Sequence, residues 1–556
     1  MEKRTGTAMA HVDFTGCVEY LSCKGLKMPR KVLLSSVFKP FAKDSIYGRA
    51  DSKIELYHNQ ITKYQGIFSI RSHMNSFGLH AIANNIGAPA TVLDFPTLER
   101  FRDELKKGYD IIGIGSIIPN FQKVKRMVEE ARKISPRSTI VVGGFCATLP
   151  DIEKILDVDY VCVGEGISFM RGLLGEDPEF EFKNPRVFHE DREFLGVPIR
   201  GVRYPHIVVG LGCSYGCEFC SPSHFFGRKH IKLIKTGRDL FEEMRKAKAD
   251  FKTNTMSFIG DDNFLLDEKR AEELRKLVVE SGEVFDIFLF GSADRAAEFG
   301  AERLAEMGAS LIWIGREGLF TDYKKNQGQD IKGLVKELGD YGIKTVLSSI
   351  LYADSHTKEN IERDIDDHLA ANPAFSQFSH MAPVPGTPLY DRLEEEGRIL
   401  TMIPLEEWHA FKQPWHSHPE FSLVEAEKIQ ERAYVRDFLE LGPSVMRVID
   451  VDLRGWKNLK DSDKPHLRKR AEHIAGQMWK YKVILLAMEL LSVTPEMRDM
   501  VRDVRGRVEE RFGKAGIVEK TIARGLWSTG TARRAITARW GDALQPRTIL
   551  TSYNHR

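Results

Sequence analysis

The chain of 556 residues sets 81 lysines and arginines against 79 aspartates and glutamates, a net charge of +2, with 42% hydrophobic and 29% charged residues. That balance makes no whole-chain case for nucleic acid or an acidic partner, and the length exceeds what one core serves, so several domains are expected. The longest apolar run, "VILLAMELLSV" from Val483, is about half a membrane span and holds Glu489. "TGTAMAHVDFTG" is no hydrophobic signal region. The reading is a cytoplasmic protein, where closely spaced cysteines serve as ligands or catalysts rather than disulfides.

Residues 1–30 form an N-terminal extension without periodicity. From Lys31, short apolar runs read as buried strands: "KVLLSSV", "ATVLDF", "YDIIGIGS", "STIVVGG" and "VDYVCVG". Between the third and fourth, Val124, Met127, Val128 and Ala131 recur at helical spacing. Strands alternating with amphipathic helices predict a parallel sheet covered on both faces, a Rossmann-like domain over 31–190. It ends in the charged stretch "GEDPEFEFKNPRVFHEDREF".

A second series follows over 195–421: "HIVVGLG", "TMSFIGDD", "FDIFLFGS", "SLIWIG", "KTVLSSIL" and "FSQFSHMAP". These units suit a partial (β/α)6 barrel, whose chemistry sits at the carboxyl ends of its strands. The fold class is α/β throughout, closed by a helical region over 422–556.

The first strand of the second series runs into "GLGCSYGCEFCSPSHFFGRKH". Three of the chain's seven cysteines, Cys213, Cys217 and Cys220, stand there, and none follows them. With His224 they offer a Cys₃His zinc set, but zinc commonly staples a small domain that lacks a core, and this loop is fed by a strong strand. Three thiolates without a fourth suit an iron–sulfur cluster with one iron left open. A C-x₃-C-x₂-C loop after a first barrel strand, with the aromatic Phe219 before the third cysteine, resembles the radical S-adenosylmethionine (SAM) superfamily. The resemblance implies a 4Fe–4S cluster on Cys213, Cys217 and Cys220 whose open iron chelates SAM.

It also implies SAM contacts farther along the barrel. Gly260, Asp261 and Asp262 end the second strand, where the family meets the SAM amino group, and Ser292 ends the third, near the ribose. Gly315, Arg316 and Glu317 stand at the place of the family's G-x-E. Taken singly, an acidic residue at a strand end is more often a helix cap. "PVPGTPLY", from Pro383 to Tyr390, resembles a string of cobalamin-binding members of the superfamily.

"VVGGFCATLPD" followed by "VDYVCVGEG" resembles the cobalamin-binding domain fused ahead of such barrels, although a GG after a strand often only permits close packing. In that family the corrin lies over the carboxyl ends of the strands. This implies contacts from Gly115, Ser116 and Asn120, from Gly143, Gly144 and on to Thr148, and from Gly164, Glu165 and Gly166. A D-x-H-x-x-G motif is absent, and the usual G-E-G-E reads "GEGIS". Tyr57, His58, Asn59 and Gln60 are candidates for lining a pocket, with a solvated loop as the plainer reading.

Residues 501–556 hold 12 lysines and arginines against 5 acidic residues, interleaved with Phe512, Leu526, Trp527 and Trp540. A solvated helix face is the plainer reading, and peripheral membrane contact the sharper one. "EEWHAFKQPWHSHPEF" reads as a segment whose histidines shape a substrate lid.

The resemblance implies a cobalamin-dependent radical SAM enzyme, and above all a methyltransferase: a 5′-deoxyadenosyl radical abstracts hydrogen from an unactivated carbon, which then takes the methyl group of methylcobalamin. The cofactors implied are the 4Fe–4S cluster, SAM and cobalamin. The implied partners are a small-molecule, lipid or peptide substrate and an electron donor such as flavodoxin or ferredoxin, with no nucleic acid. A radical cyclase, oxidase or ring-contracting enzyme of the same group is the alternative. A non-catalytic cobalamin- or metal-binding regulator is a third reading.

Overall fold

The computed structural model describes residues 30–48, 60–199, 203–540 and 545–554. The extension up to residue 29, with Cys17 and Cys23, and the cluster of Tyr57, His58 and Asn59 lie outside the described residues. The strands run, in chain order, β1 Val32–Ser35, β2 Arg71–Met74, β3 Ala90–Asp94, β4 Ile111–Gly115, β5 Thr139–Gly143 and β6 Tyr160–Cys162. Next come β7 Val187–Glu193, β8 Tyr204–Gly212, β9 Ile231–Lys232, β10 Thr255–Asp261 and β11 Asp286–Gly291. The last four are β12 Ala309–Glu317, β13 Lys344–Leu351, β14 Phe375–His380 and β15 Ile549–Tyr553.

The first sheet has the order β15-β3-β1-β4-β5-β6, parallel except for β15. Its strands are apolar on both faces because helices cover both. Leu33, Ile112, Ile140 and Val142 pack on one side with Val124, Met127, Val128 and Ala131 of the helix Phe121–Ile134, whose predicted spacing is this buried stripe. Val32, Leu34, Ile111 and Val141 face the other side, against Ala83 and Met170. From β3 onward the order is 2-1-3-4-5, so the direction of winding reverses between β1 and β4. Open α/β sheets bind ligands in the crevice at such a switch point.

The second sheet carries β8, β10, β11, β12, β13 and β14 side by side in sequence order, all parallel, as a partial barrel. Ile207, Val209, Phe258, Leu289, Ile312 and Leu347 turn outward onto the helices. The alternate residues Phe288, Phe290 and Trp313 form a tilted and stacked set of rings, Phe290 and Trp313 lying 5.5 Å apart at 26°.

Strands at the sheet margins cross between regions. The charged stretch after the first domain contains β7, which pairs antiparallel with β8, and β2 from within the first region pairs with β7. β15, the strand that interrupts the otherwise helical tail, pairs with β3. Each covers a sheet edge that would otherwise present unpaired backbone groups.

The tail is otherwise helical, from Leu423–Glu440 to Ile517–Trp540, around Ile449, Leu485, Met488, Val501 and Val508. Much of its positive charge meets acidic partners, some from other regions. Arg505 reaches Glu489 at 2.9 Å, Arg502 the same carboxylate at 3.0 Å, and Arg533 meets Glu193 at 3.0 Å. Phe512 packs on Trp456, and Trp527 is exposed. Among the described residues no helix is long and apolar enough to cross a membrane.

Candidate functional site at the facing strand ends

β8 ends at Gly212 with φ +72°, where a Cβ would stand 2.7 Å from the Lys229 carbonyl oxygen and 2.9 Å from the Phe226 Cβ. Only glycine turns the chain there, and the cysteine loop follows. The Ser223 hydroxyl holds that loop, donating to the Cys213 carbonyl at 2.6 Å and accepting from the Gly216 N–H at 3.2 Å. The Cys220 N–H donates to the Cys217 carbonyl at 2.9 Å, and the helix Ser221–Phe225 begins at the next residue. A ring nitrogen of His224 lies 3.1 Å from the Cys217 carbonyl oxygen, so that nitrogen is engaged by the loop's own backbone.

All three cysteines are free. Burial raises the pKa of the Cys213 and Cys217 thiols and pushes Cys220 up to about 12. Iron would displace those protons outright. Among the described residues no three His, Cys, Asp or Glu side chains converge as ligands of a single ion. Three free thiols on one loop are the donor set a cluster takes, each thiolate on a separate iron.

Around the loop, the predicted positions separate into two kinds. Asp261 is fully buried; burial works against its charge, but His230 at 2.9 Å and Arg270 at 2.7 Å hold its carboxyl below the usual range. It braces the barrel, and Gly260 beside it has φ +80° and no room for a side chain, since a Cβ would stand 2.6 Å from the Gly210 carbonyl oxygen. Asp262 differs: burial and its neighbour Asp261 push its carboxyl up to about 7, and its charge acts on Cys213 and Cys220. The Ser292 hydroxyl accepts from the Asn263 amide at 2.9 Å, linking the ends of β10 and β11.

Glu317 ends β12 with φ +62° and pairs with Lys325. Burial opposes the charge of Lys325, yet Glu317 and the nearby Cys217 raise its pKa. Gly315 makes room for the pair, since a Cβ there would stand 2.9 Å from the Lys325 Nζ. Arg316 points away, onto Asp364 at 2.5 Å and Asp367 at 2.6 Å. Phe219 meets Tyr323 edge-on at 5.0 Å, and the Tyr215 hydroxyl donates to Asp294 at 2.5 Å. Lys325, Tyr323 and Tyr215 were not singled out from sequence. The first two stand in the polar run "TDYKKNQGQD", which has no periodicity to mark them.

On the first sheet, the Ser116 hydroxyl follows β4, at the switch point, buried and without a hydrogen-bond partner among the described residues. Gly144 has φ +77°, and a Cβ there would stand 2.5 Å from the Ser116 carbonyl oxygen. Asn120 is buried in the short turn Ile118–Asn120, and Gly143 abuts Cys162, 3.6 Å from a Cβ at that position. An orphaned hydroxyl beside a side-chain-free turn, at the ligand crevice of the sheet, fits a bound polar-edged cofactor such as cobalamin. Glu165 and Gly166 have local duties. Glu165 caps the helix Gly166–Leu174, accepting from the Ser168 N–H at 2.8 Å, and a Cβ on Gly166 would meet Ile82 at 2.7 Å.

The carboxyl ends of the two sheets face each other. Phe145, beyond β5, packs on Phe225 of the cluster-loop helix with ring centroids 4.8 Å apart. Gly164, beyond β6, lies under the Phe225 carbonyl, 3.4 Å from a Cβ there. The "PVPGTPLY" string spans the same junction: Gly386 lies against Thr148, and the Leu389 N–H donates to the Glu218 carbonyl at 3.1 Å. Beside it opens a cleft of about 410 Å³ lined by Glu218, Tyr323, Asp354, Met381, Arg392 and His416.

His416 is buried, which pushes its pKa down to about 3. Of the three histidines expected to shape a lid, His416 lines this cleft, while His418 bonds the Ala353 carbonyl at 3.0 Å. Trp408 and Trp415 stack 5.6 Å apart within the core of the first sheet.

Comparison with known proteins agrees with this two-part architecture. Residues 66–174 match the B12 binding domain model, and residues 207–368 match the Radical SAM superfamily model. The chain is 22% identical over 59% of its length to an uncharacterized methyltransferase of Pyrococcus horikoshii, covering 79% of that protein. It is also 22% identical to the bacteriochlorophyllide d C-8(2)-methyltransferase of Chlorobaculum tepidum, over 56% of this chain and 74% of that one. A solved radical S-adenosylmethionine methyltransferase from Kitasatospora setae, with tryptophan substrate and a SAM analogue, overlays 92% of this chain and 99% of its own. The TM-score is 0.49 and the identity 14%.

The matches define the class by its parts: the chain carries a B12 binding domain ahead of a domain of the Radical SAM superfamily. The two matched domains imply a 4Fe–4S cluster, SAM and cobalamin as cofactors.

Proposed function

We propose that the chain methylates an unactivated carbon of a small-molecule, lipid or peptide substrate held between the two facing strand ends. The observation that carries this is the 4.8 Å contact of Phe145 with Phe225, which brings the crevice of the first sheet against the helix of the cluster loop. When bound, the cluster with SAM supplies a hydrogen-abstracting radical and cobalamin the methyl group. The protein's own work is placement and exclusion of water.

Cys213, Cys217 and Cys220 hold the cluster, and Phe219, backed by Tyr323, forms the wall beside it. Asp262, Ser292 and Glu317 stand at strand ends where SAM's polar groups are recognised. Asp261 and Gly260 brace that rim from behind. Ser116, Asn120, Gly143 and Gly144 line the corrin side, with the Gly144 backbone close enough to be approached directly. Glu165 and Gly166 serve that side by fixing the helix after β6. The cleft of about 410 Å³ is of the size that takes a small organic ligand.

The cluster is reduced by an external donor of flavodoxin or ferredoxin type, in the cytoplasm. We assign the tail no nucleic-acid role, and its ion pairs favour a solvated face over a membrane contact. The experiment is anaerobic incubation of the reconstituted enzyme with SAM deuterated in its methyl group and a panel of tetrapyrrole, lipid and peptide acceptors. A product carrying three deuterons on a formerly saturated or aromatic-side-chain carbon supports the proposal. A cyclised or oxidised product without deuterium replaces it with the cyclase or oxidase reading.

A further inference from the structure

The last described residues return to the sheet with which the chain begins. β15 pairs with β3 from Ile549 opposite Asp94 to Tyr553 opposite Ala90. The residues just before it grip the carboxyl ends of β1 and β3. Gln545 brackets Phe41, its side-chain oxygen accepting from the Phe41 N–H at 2.7 Å and its amide donating to the Phe41 carbonyl at 2.9 Å. The Lys39 ammonium donates to the Pro546 carbonyl at 3.0 Å, and the Thr548 hydroxyl donates to the Phe95 carbonyl at 2.7 Å. Farther along, the Tyr553 hydroxyl lies 2.7 Å from a ring nitrogen of His80, whose other nitrogen meets the fully buried Asp94 at 2.7 Å.

The gripped loop follows β1, and with the turn after β4 it makes the two lips of the switch-point crevice. The second lip also holds the first. Lys123, on the helix that follows β4, donates to the Pro40 carbonyl at 3.0 Å and lies 3.8 Å from the centre of the Phe41 ring. Phe41 is therefore fixed from two sides, by Lys123 and by a glutamine some 500 residues away in sequence. Here four hydrogen bonds involve residues 545, 546 and 548; three of them join the loop after β1, and the fourth joins Phe95 just after β3.

We propose that residues 545–548 are a clasp that positions the loop after β1 for cobalamin, so that the far end of the chain completes the corrin site. Gln545 is the central positioning residue, acting through the Phe41 backbone. The inference rests on the assignment of this sheet to cobalamin. Removing the clasp frees the loop, and the cofactor must then order it on binding, which weakens affinity without touching the cluster loop.

The test uses the full chain carrying Gln545→Ala, and a second variant adding Thr548→Val. Thr494→Ala serves as a control, because Thr494 caps the helix Pro495–Phe512 through the Met497 N–H at 3.1 Å and stands elsewhere in the sequence and fold. Hydroxocobalamin is titrated into each anaerobically reconstituted protein, and iron per chain and thermal stability are measured in parallel. The expected result is a dissociation constant raised about tenfold or more in the Gln545 variant, with iron unchanged, while Thr494→Ala loses stability and keeps wild-type affinity.

Affinity within about twofold of wild type in a folded Gln545→Ala protein, or an equal loss in Thr494→Ala, overturns the clasp. If the double variant does not fold, the single variant decides. A wild-type chain that binds no hydroxocobalamin overturns the cobalamin assignment instead.

Discussion

A methyl group in place of a thiol cannot hold iron, so Cys213→Ala takes one of the three ligands from the cluster. Cobalamin belongs to a different sheet with its own core. The variant is expected to lose the iron and the characteristic cluster absorbance while retaining bound cobalamin; iron analysis beside the cobalamin spectrum checks both at once. Simultaneous loss of the two cofactors would mean that the sheets do not act separately.

Glu165 has a structural contact that can be tested apart from the corrin. Its carboxylate accepts from the Ile167 and Ser168 N–H groups as a helix cap. Glu165→Ala should therefore lower stability by about 1 kcal/mol in denaturant titration and leave cobalamin affinity unchanged. A lost affinity with undiminished stability would return Glu165 to the corrin.

Among elements, the helix Pro465–Ala475 is tied to β11 by His473, 2.7 Å from Asp286. The hydrogen bond to Asp286 raises the His473 pKa above its ordinary 6.5. A raised histidine contributes stability that is whole below the unfolded-state value and is lost as pH climbs through the folded value. The melting-temperature gap between wild type and His473→Asn should accordingly be widest near about pH 6 and shrink by about pH 9. A gap that is flat or grows with pH contradicts the pairing.

The strands that sequence revealed are those buried on both faces, such as "STIVVGG" and "KTVLSSIL", where β-branched runs leave little alternative. β2 and β15 escaped notice because they are edge strands, and β7 because it lies between β8 and the edge strand β2 with a charged sequence. "RSHM", "VFHEDRE" and "ILTSY" need not be apolar throughout, and their pairing depends on partners distant in the chain. The cysteine loop was legible because three ligands lie within eight residues. Lys325 and Tyr323 were not, because their nearness to Cys217 and Phe219 comes from the turn after β12. β10 ends at the braced Asp261, and Asp262, whose charge acts on the thiols, is the next residue beyond it, so a string of letters does not say which is which.

At the scale of the molecule, the post-barrel segment binds the two halves together: Tyr390, Trp408 and Trp415 sit in the core of the first sheet, while Leu389 and Leu393 pack in the cluster with Phe219. One continuous segment thus packs against both halves, and the proposed function joins radical generation to methyl delivery across it. That coupling has a chemical signature, because each use of SAM leaves a different product. The most direct measurement is the amount of 5′-deoxyadenosine and of S-adenosylhomocysteine formed per methylated product under a low-potential reductant. Equal amounts of the two, near one of each per product, are predicted. Product formation with 5′-deoxyadenosine alone, and no S-adenosylhomocysteine, would contradict methyl transfer through cobalamin.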